Sequence, residues 1–457
     1  MTSVLLIYPY FKPRRDRSAF RFPPLGVAYL ASSLRSAGHR VQLLDCTFLD
    51  RRTAMRQAQE SHAEVVGVYC MVTMLDDCLR FAGGLCQPGR LLVAGGPLPT
   101  CDPELFVEAF DVAVRGEAEA TMLALVESFM QGKDWTDIPG LAWRAGPRRG
   151  EASGASLCIS PERPFEKELD RLPPPARDLL PNKDYIRFGK KKYGYSITTV
   201  MSTRGCPFRC EFCSNVVFGG SYRERSVQGV VDEVEAALRL GYERISFADD
   251  VFTLKRERVL AICREIERRR LDFHWECLGR VDNLDEATAV AMRQAGCTRI
   301  FFGIESGDDR ILKLMNKNIT AEQAQRAVEA AHRAGLEVGA FFILFYPGDT
   351  EESVLATLRY ATRLPVDYLG LSMPYPLPGT ALYERVRERV NRDWRPDESV
   401  FGSHVLIFDA AFSEAKMWFG IFKGRAQFEL HRRLGRLAPP FLGPFETVTD
   451  ALFRRLS

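Results

Sequence analysis

The sequence predicts an α/β protein with two consecutive parallel-sheet domains and a small, mainly helical C-terminal extension. Three observations support this. A chain of 457 residues is too long for one ordinary core, apolar strand patterns alternate with amphipathic helix patterns from the first residues, and one irregular stretch rich in Pro and Gly interrupts the alternation. We place a doubly wound, Rossmann-like domain at 1–140, a linker at 141–194, a partial (β/α)6 barrel of the TIM type at 195–390 and the extension at 391–457.

The first alternation indicates a parallel sheet covered by helices on both faces, because its strands are nearly continuous apolar runs. Helices are predicted at 24–39, 51–61 and 75–86. Strands are predicted at 4–9, 41–46, 65–70, 90–96 and 111–116. Ligands of such sheets bind at the carboxyl ends of the strands. The residues at that edge are Pro9, Tyr10, Tyr69, Thr73, Gly95, Gly96, Pro97, Gly116 and Glu117.

The linker contains GPRRGEASGAS and RLPPPARDLLP, which indicate an irregular chain with a short hairpin. Six strand–helix units follow, too few for a closed eight-stranded barrel, so we expect an open, partial one. Its strands are predicted at 196–202, 244–250, 273–279, 299–305, 338–345 and 368–374. Its helices are predicted at 226–240, 255–269, 285–295, 320–334 and 350–363. The aromatic residues of the extension, which suit either a packing element or a substrate lid, include Trp418, Phe419, Phe422 and Phe428.

The composition argues against several classes of function. A net charge of +3 predicts no general attraction to nucleic acid or membranes. No apolar run approaches the roughly 18 residues that cross a bilayer, and the N-terminus does not resemble a signal peptide. We therefore expect a cytoplasmic protein. Nine of the twelve cysteines are dispersed through core-like patterns, as is typical of reduced, buried thiols.

The other three cysteines, Cys206, Cys210 and Cys213, lie within RGCPFRCEFCS, directly after the first barrel strand. Thiolates at this spacing bind soft metals, and the candidates are zinc and an iron–sulfur cluster. A structural zinc site needs four ligands, and no fourth Cys or His lies near these three in the sequence. Three ligands on a four-iron cube leave one iron open, and an open iron can bind a substrate.

This stretch resembles the signature of the radical S-adenosylmethionine (SAM) superfamily. The resemblance implies that Cys206, Cys210 and Cys213 bind a [4Fe-4S] cluster, that Phe212 packs beside it and that SAM chelates the open iron. It also implies SAM contacts at the ends of the next barrel strands. They are Asp249 and Asp250 for the ammonium group, Arg280 for the carboxylate, and Glu305 with Ser306 for ribose or amino groups.

The order of the two domains resembles the cobalamin-binding class of this superfamily, which includes the anaerobic Mg-protoporphyrin cyclase and many methyltransferases. Members commonly have a Gly-Glu-x-Glu turn, here Gly116, Glu117 and Glu119. No histidine occurs in the Asp-x-His-x-x-Gly context that ligates cobalt in other cobalamin domains, so we expect none beneath cobalt. The residues that the resemblance assigns to cobalamin are Tyr10, Tyr69, Thr73, Gly95, Gly96, Gly116 and Glu117.

The resemblance implies an enzyme in which a 5′-deoxyadenosyl radical removes a hydrogen that no general base can take, and methyl-cobalamin then methylates the substrate. We expect a methyltransferase acting on an unactivated carbon or a phosphinate phosphorus. The alternatives are an oxidative cyclase or rearrangement enzyme with the same cofactors, a tRNA methylthiotransferase, and a non-catalytic corrinoid or redox sensor. The expected partners are a small molecule, apolar or planar, and an electron donor such as flavodoxin or ferredoxin, with no nucleic acid.

Overall fold

The computed structural model describes residues 1–11, 21–145, 156–390, 408–434 and 439–456. The first sheet has the strands β1 (Ser3–Tyr8), β2 (Arg40–Asp45), β3 (Val65–Tyr69), β4 (Leu91–Gly95), β5 (Val112–Val114), β6 (Leu141–Arg144) and β7 (Leu157–Ile159). Its helices are α1 (Leu25–Ser36), α2 (Arg51–Glu60), α3 (Leu75–Leu85), α4 (Pro97–Cys101) and α5 (Ala118–Met130). The strand order is β2-β1-β3-β4-β5-β6-β7.

Strands β1 to β5 are parallel, and helices cover both faces of the sheet. Successive residues of a strand point to opposite faces. In β1, Leu5 and Ile7 belong to the core on one face, and Val4 and Leu6 belong to the core on the other. The predicted doubly wound architecture is confirmed.

The region predicted as an irregular linker contributes more regular structure than expected. Strands β6 and β7 form the predicted short hairpin, but β6 also pairs antiparallel with β5 and so extends the first sheet. Leu141 and Ala142 are fully buried there. A helix, α6 (Asn182–Tyr193), precedes the second sheet. Residues 146–155, which include most of the Gly- and Arg-rich stretch, lie outside the described residues.

The second sheet has the strands β8 (Ile197–Val200), β11 (Arg244–Phe247), β12 (His274–Gly279), β13 (Cys297–Glu305), β14 (Glu337–Ile343) and β15 (Tyr368–Ser372). They are all parallel and lie in chain order. The two short strands β9 (Thr203–Arg204) and β10 (Arg223–Glu224) form a separate antiparallel pair. The helices are α7 (Val227–Arg239), α8 (Arg256–Arg268), α9 (Glu286–Gln294), α10 (Asp309–Leu314), α11 (Ala321–Arg333), α12 (Glu351–Arg363) and α13 (Ala381–Val386). This open arrangement of six strands confirms the predicted partial barrel.

Local sequence determines where the barrel helices begin. The side chains of Ser226, Asp285, Thr320 and Thr350 each accept a hydrogen bond from a backbone N–H in the first turn of α7, α9, α11 and α12, respectively. Such N-caps satisfy donors that a helix leaves unpaired. Each helix therefore starts close to its predicted position and leaves the preceding loop at the carboxyl edge of the sheet.

The described residues of the C-terminal extension form two helices, α14 (Glu414–Leu434) and α15 (Pro439–Arg455). Helix α14 packs on α12 and β15, and its Gly424 has no room for a side chain, because a Cβ there would lie 2.5 Å from Leu371 Cδ1. Of the two interpretations of this segment, the packing element fits these contacts. Across the described ranges, no helix combines the length and apolar character needed to span a membrane.

An apolar cluster joins the two sheets. Leu25 and Tyr29 of α1 pack against Met201, which follows β8, and against Phe218 in the loop between β9 and β10. Tyr29 also donates a hydrogen bond of 2.7 Å to Glu233 of α7. These contacts bring the first sheet against the loop that carries the three cysteines.

Candidate active site

The three cysteines lie on one loop, residues 205–222, which β9 and β10 close at its base. The loop begins at Gly205, whose φ is +84°, and a Cβ there would lie 2.2 Å from Ser221 O. Only glycine fits this position. The backbone N–H of Cys206 donates to Gly219 O (3.2 Å), and the N–H of Cys213 donates to Cys210 O (3.1 Å). The hydrogen bonds within this loop therefore fix the backbone positions of the cysteines. We refer to residues 205–222 as the cysteine loop.

The thiols lie in a partly desolvated place at the carboxyl edge of the barrel. Burial raises the pKa of Cys213 to about 12, although its side chain still reaches the surface. Burial also raises the pKa of Cys206, and the nearby carboxylate of Asp250 adds to this effect. The thiols of Cys206 and Cys213 are thus poor nucleophiles at neutral pH. Thiolates form when a metal replaces their protons.

The donor set fits a cluster. Within the described residues, no three His, Cys, Asp or Glu side chains are arranged to hold a single metal ion. A four-iron cube spreads its ligands around a larger body than one ion does. Three sulfur donors on one loop, with cationic side chains nearby, are the chemistry that such a cube needs.

Glu211, between the second and third cysteines, anchors the cysteine loop to the barrel. Its carboxylate accepts hydrogen bonds from Tyr346 Oη (3.0 Å) and Arg385 Nη1 (2.8 Å). Its backbone N–H donates to Met315 O (3.0 Å), and its C=O accepts from the N–H of Leu382 (2.9 Å). Our sequence reasoning did not identify Glu211, because its partners are more than 100 residues away along the chain.

The two adjacent aspartates after β11 have different surroundings. Asp249 is buried, and its carboxylate accepts hydrogen bonds from the backbone N–H groups of Ser202 (2.6 Å) and Thr203 (3.1 Å) and from the Ser202 hydroxyl. It therefore braces the end of β8, and this use of its oxygens argues against the expected SAM contact. Asp250 is exposed and lies close enough to Cys206 and Cys213 to influence both thiols. Asp250 therefore remains the candidate for binding the ammonium group of SAM.

Arg280, after β12, lies against the cysteine loop. Its guanidinium stacks on the ring of Phe208, 3.5 Å from the centroid, and it donates to Asp282 (3.0 Å) and to Lys317 O (2.9 Å). It also opposes the rise in the pKa of Cys206. The residue is 4% exposed. A buried cation beside the cysteines suits a carboxylate ligand.

The residues that end β13 also have different surroundings. Glu305 is buried, and its Oε1 lies 3.2 Å from Lys317 Nζ. Burial raises the pKa of Glu305, and the Lys317 ammonium lowers it in part. Ser306 Oγ instead lies 3.0 Å from Thr357 Oγ1 and accepts from the N–H of Asp308, so it stabilises its own turn. Its hydroxyl is turned to α12, which argues against the predicted SAM contact.

Phe212 packs against the barrel core, and the ammonium of Lys317 lies 5.8 Å from the centroid of its ring. Lys317 was not identified by our sequence reasoning. Its ion pair with Glu305 forms across a gap of twelve residues, and no local sequence pattern marks it.

A cavity of about 280 Å³ lies between the carboxyl edge of the first sheet and the cysteine loop. Among the predicted cobalamin contacts, its lining includes Tyr69, Gly95, Gly96, Gly116 and Glu117. The opposite wall comes from the chain on either side of the cysteines, namely Met201, Arg204, Val217 and Phe218. The lining is mostly apolar, and the described residues that form it include no histidine. The apolar lining suits a face of an organic cofactor that is not held by an imidazole.

Two predicted cobalamin contacts lie at the same edge but do not line the cavity. Tyr10 stacks on Tyr8, with the ring centroids 6.2 Å apart, and Thr73 is exposed before α3. Gly95 has open space in its side-chain direction, whereas at Gly96 (φ +110°) a Cβ would lie 2.8 Å from Cys70 O. Gly95 thus leaves the cavity open, and Gly96 is required by the backbone itself.

The Gly-Glu-x-Glu turn connects the two domains through buried ion pairs. Glu117 Oε1 accepts from Arg204 Nη1 (3.2 Å) and from Arg223 Nη1 (2.7 Å), and Arg204 Nη2 donates to Glu119 (2.7 Å). These four residues form the inter-domain clamp. Its carboxylates are already paired, so Glu117 contributes to the cavity wall and does not offer a free charge to a ligand. The arginines flank the cysteine loop in β9 and β10.

The cysteines of the first domain do not assemble a second site. Cys46, Cys70 and Cys78 are fully buried in its core, Cys86 is exposed and Cys101 is partly buried. Among the residues that the structure describes, no group of these thiols is arranged to hold a metal ion. Three of these thiols are enclosed in the packed core, which argues against the three-cysteine cluster site that a resemblance to the tRNA methylthiotransferases would imply for this domain.

Comparisons with known proteins agree with this geometry. The family model of the Radical SAM superfamily matches residues 200–361, and that of the B12 binding domain matches residues 12–126. The chain is 35% identical over 375 residues to an uncharacterized methyltransferase of Pyrococcus horikoshii, which covers 79% of this chain and 78% of that protein. It is 29% identical over 408 residues to the anaerobic magnesium-protoporphyrin IX monomethyl ester cyclase of Rubrivivax gelatinosus, covering 85% and 70%.

The fold also resembles a solved structure of the radical SAM methyltransferase TsrM from Kitasatospora setae, with cobalamin and a [4Fe-4S] cluster bound. The TM-score is 0.71 at 22% identity, and the match covers 85% of this chain and 78% of that one. At this identity the similarity concerns the fold.

Proposed function

Since the chain belongs to the cobalamin-binding class of the radical SAM superfamily, we propose that it is a methyltransferase that uses SAM, a [4Fe-4S] cluster and cobalamin to methylate a small molecule at an unactivated carbon or a phosphinate phosphorus. One observation carries this proposal. The cavity at the edge of the first sheet and the cysteine loop share a wall, made by Met201, Arg204, Val217 and Phe218. Cofactors bound at the two places would be neighbours.

The residues at the barrel edge would bind the cluster and SAM. Cys206, Cys210 and Cys213 would supply three thiolates, with Phe212 packed beside the cluster. Asp250 would bind the SAM ammonium group, and Arg280 its carboxylate; Glu305 would bind ribose. Arg280 and Glu305 are buried, and the exclusion of water around them strengthens their charge–charge contacts. When bound, the cluster supplies the electron that cleaves the sulfonium bond of SAM, and cobalamin supplies the methyl carrier.

The residues of the first sheet would bind cobalamin. Tyr69 would pack against the corrin, Gly95 and Gly116 would allow close approach of the backbone because their side-chain directions are open, and Gly96 would form part of the wall. Because none of the described residues that line the cavity is a histidine, we propose that no imidazole binds cobalt from below.

The cysteine assignment is tested by replacing Cys206, Cys210 and Cys213 together with alanine. Anaerobically reconstituted wild-type protein should bind about four irons and one cobalt, as three thiolates can hold one cube. The triple variant should lose the iron and keep the cobalt. Retention of iron by the variant would contradict the proposal.

The second candidate is an oxidative cyclase with the same cofactors, which the similarity to the Rubrivivax protein favours. Incubation of the reconstituted protein with SAM and a chemical reductant, with and without cobalamin, distinguishes the two without knowledge of the substrate, because only a methyltransferase passes the methyl group of SAM to reduced cobalamin. A methyltransferase should convert SAM to S-adenosylhomocysteine only when cobalamin is present. Formation of 5′-deoxyadenosine alone, with no cobalamin-dependent S-adenosylhomocysteine, would support the cyclase.

We propose that the electron comes from a one-electron donor protein of the flavodoxin or ferredoxin class. Cys213 is exposed on the cysteine loop, so a cluster there would be near the surface. A cytoplasmic location, as predicted from the sequence, is compatible with such donors. Reduction of the reconstituted cluster by flavodoxin, followed by electron paramagnetic resonance, tests this step.

A further inference from the structure

Lys317 lies in a turn whose backbone is strained. The turn follows α10, and the two residues on either side of the lysine, Asn316 (φ +52°) and Asn318 (φ +54°), adopt the left-handed conformation. This region is unfavourable for every residue except glycine, and asparagine is among those that tolerate it best. The Lys317 N–H donates to Leu312 O (3.0 Å), which closes the helix end. The turn directs the lysine into the barrel.

The same turn is bound to the cysteine loop. Asn316 Nδ2 donates to Arg209 O (2.6 Å), and Met315 O accepts from the N–H of Glu211 (3.0 Å). Lys317 O accepts from the guanidinium of Arg280 (2.9 Å). The position of the lysine is therefore determined by the loop that carries the cysteines.

The side chain of Lys317 is buried, and the barrel is shaped to receive it. The residue is 7% exposed, and its ammonium pairs with Glu305, itself in the left-handed conformation (φ +74°). A Cβ at Gly303 would lie 2.4 Å from Glu305 Oε1 and 3.1 Å from Lys317 Nζ, so the glycine makes room for the ion pair.

A buried ion pair of this kind is weak evidence for stability, because desolvation offsets the attraction between the charges. Its position suggests another role. We propose that Lys317 is a positioning residue that places a positive charge beside the cluster, favouring the reduced cluster, and holds Glu305 in place for SAM. This inference rests on the proposed function. A reduced cluster carries one more negative charge than the oxidised one, so a nearby cation stabilises it more.

The test replaces Lys317 with methionine in the reconstituted full chain. We expect full iron content, a more negative midpoint potential of the cluster, and SAM binding weakened about tenfold, as expected when a charged contact is lost. Lys317→Arg should restore both properties, because it keeps the charge. Lys313→Met is the matched control, since Lys313 is exposed on α10, and it should change neither.

A second variant, Glu305→Gln, provides a test of sign that a merely structural role would not pass. It removes a negative charge and leaves the lysine unpaired, so the midpoint potential should become less negative. Shifts in the same direction for Lys317→Met and Glu305→Gln, or no shift at full iron content, would overturn the inference. If Lys317→Met does not retain iron, the shift in midpoint potential of Glu305→Gln decides: a less negative potential supports the inference, and any other result overturns it. A wild-type protein that binds no cluster would instead overturn the proposed function.

Discussion

The inter-domain clamp should contribute measurably to stability, and Glu117→Gln is the substitution that tests it. Glu117 Oε1 accepts hydrogen bonds from Arg204 and Arg223, and its Oε2 accepts from the backbone N–H of Glu166 (3.0 Å). The side chains of Glu117, Arg204 and Arg223 are between 4% and 8% exposed. Glutamine retains the shape and one acceptor oxygen but removes the charge between two buried guanidinium groups.

The expected magnitude follows from what each arginine retains. Breaking a buried ion pair costs about 3–5 kcal/mol when one charge is left alone. Arg204 keeps Glu119, and Arg223 keeps the backbone oxygens of Phe218 (3.1 Å) and Glu166 (2.9 Å), so neither is left without partners. We therefore expect a loss of about 2–3 kcal/mol in the free energy of unfolding, which corresponds to one or two charge-assisted hydrogen bonds.

Urea unfolding of the full chain, followed by tryptophan fluorescence, measures this loss. The matched control is Glu162→Gln: Glu162 lies 3.8 Å from Arg115, but its side chain is 88% exposed. An exposed pair contributes about 0–1 kcal/mol. Equal losses for the two variants, or a loss below about 1 kcal/mol for Glu117→Gln, would refute the reasoning that burial gives the clamp its strength.

Three further predictions concern the cavity, the cysteine loop and the end of the barrel. Gly95→Leu should weaken cobalamin binding about tenfold or more without loss of stability, because the leucine side chain would enter open cavity space. Titration with cobalamin, followed by absorbance, measures the affinity. An unchanged affinity would contradict the assignment of this cavity to cobalamin. Glu211→Gln should accelerate loss of the cluster absorbance several-fold, because the hydrogen bonds that Tyr346 and Arg385 donate to this side chain would no longer reach a charged carboxylate. The control is Glu384→Gln, which removes one partner of the exposed Arg387–Glu384 ion pair and should not change this rate. Burial raises the pKa of Asp349 to about 6, so the stability linked to its proton is present below about pH 4 and lost as the pH rises through 6. In Asp349→Asn, the free energy of unfolding measured in urea should therefore vary less with pH across this range. Parallel pH profiles of the free energy of unfolding for the variant and the wild-type protein would exclude this linkage.

Much of the fold follows from local patterns. Apolar runs and alternating helices predicted both parallel sheets, and capping residues such as Thr320 and Thr350 mark helix starts that any reader of the sequence can find. These signals are local, because hydrogen bonds and side-chain periodicity act over a few residues. The hairpin after β5 was predicted, but its pairing with the first sheet was not, since pairing depends on a partner strand that the hairpin itself does not specify.

Part of the candidate site is also visible in the sequence, and part is identified only by the structure. The spacing of Cys206, Cys210 and Cys213 is visible in the sequence, because one loop carries all three. The sequence offered Asp249 and Asp250 as equivalent, and only the structure separates the aspartate that braces β8 from the one that lies near the thiols.

The sequence by itself determined the order of the domains, the class of each sheet and the set of sulfur donors. Tertiary structure alone decided which charges meet. Glu211 and Lys317 acquire their partners only when loops at the ends of different strands come together at one edge. The clamp likewise joins residues 87 and 106 positions apart. The physical reason is that ion pairs depend on distance in space and on exclusion of water, and a sequence records neither.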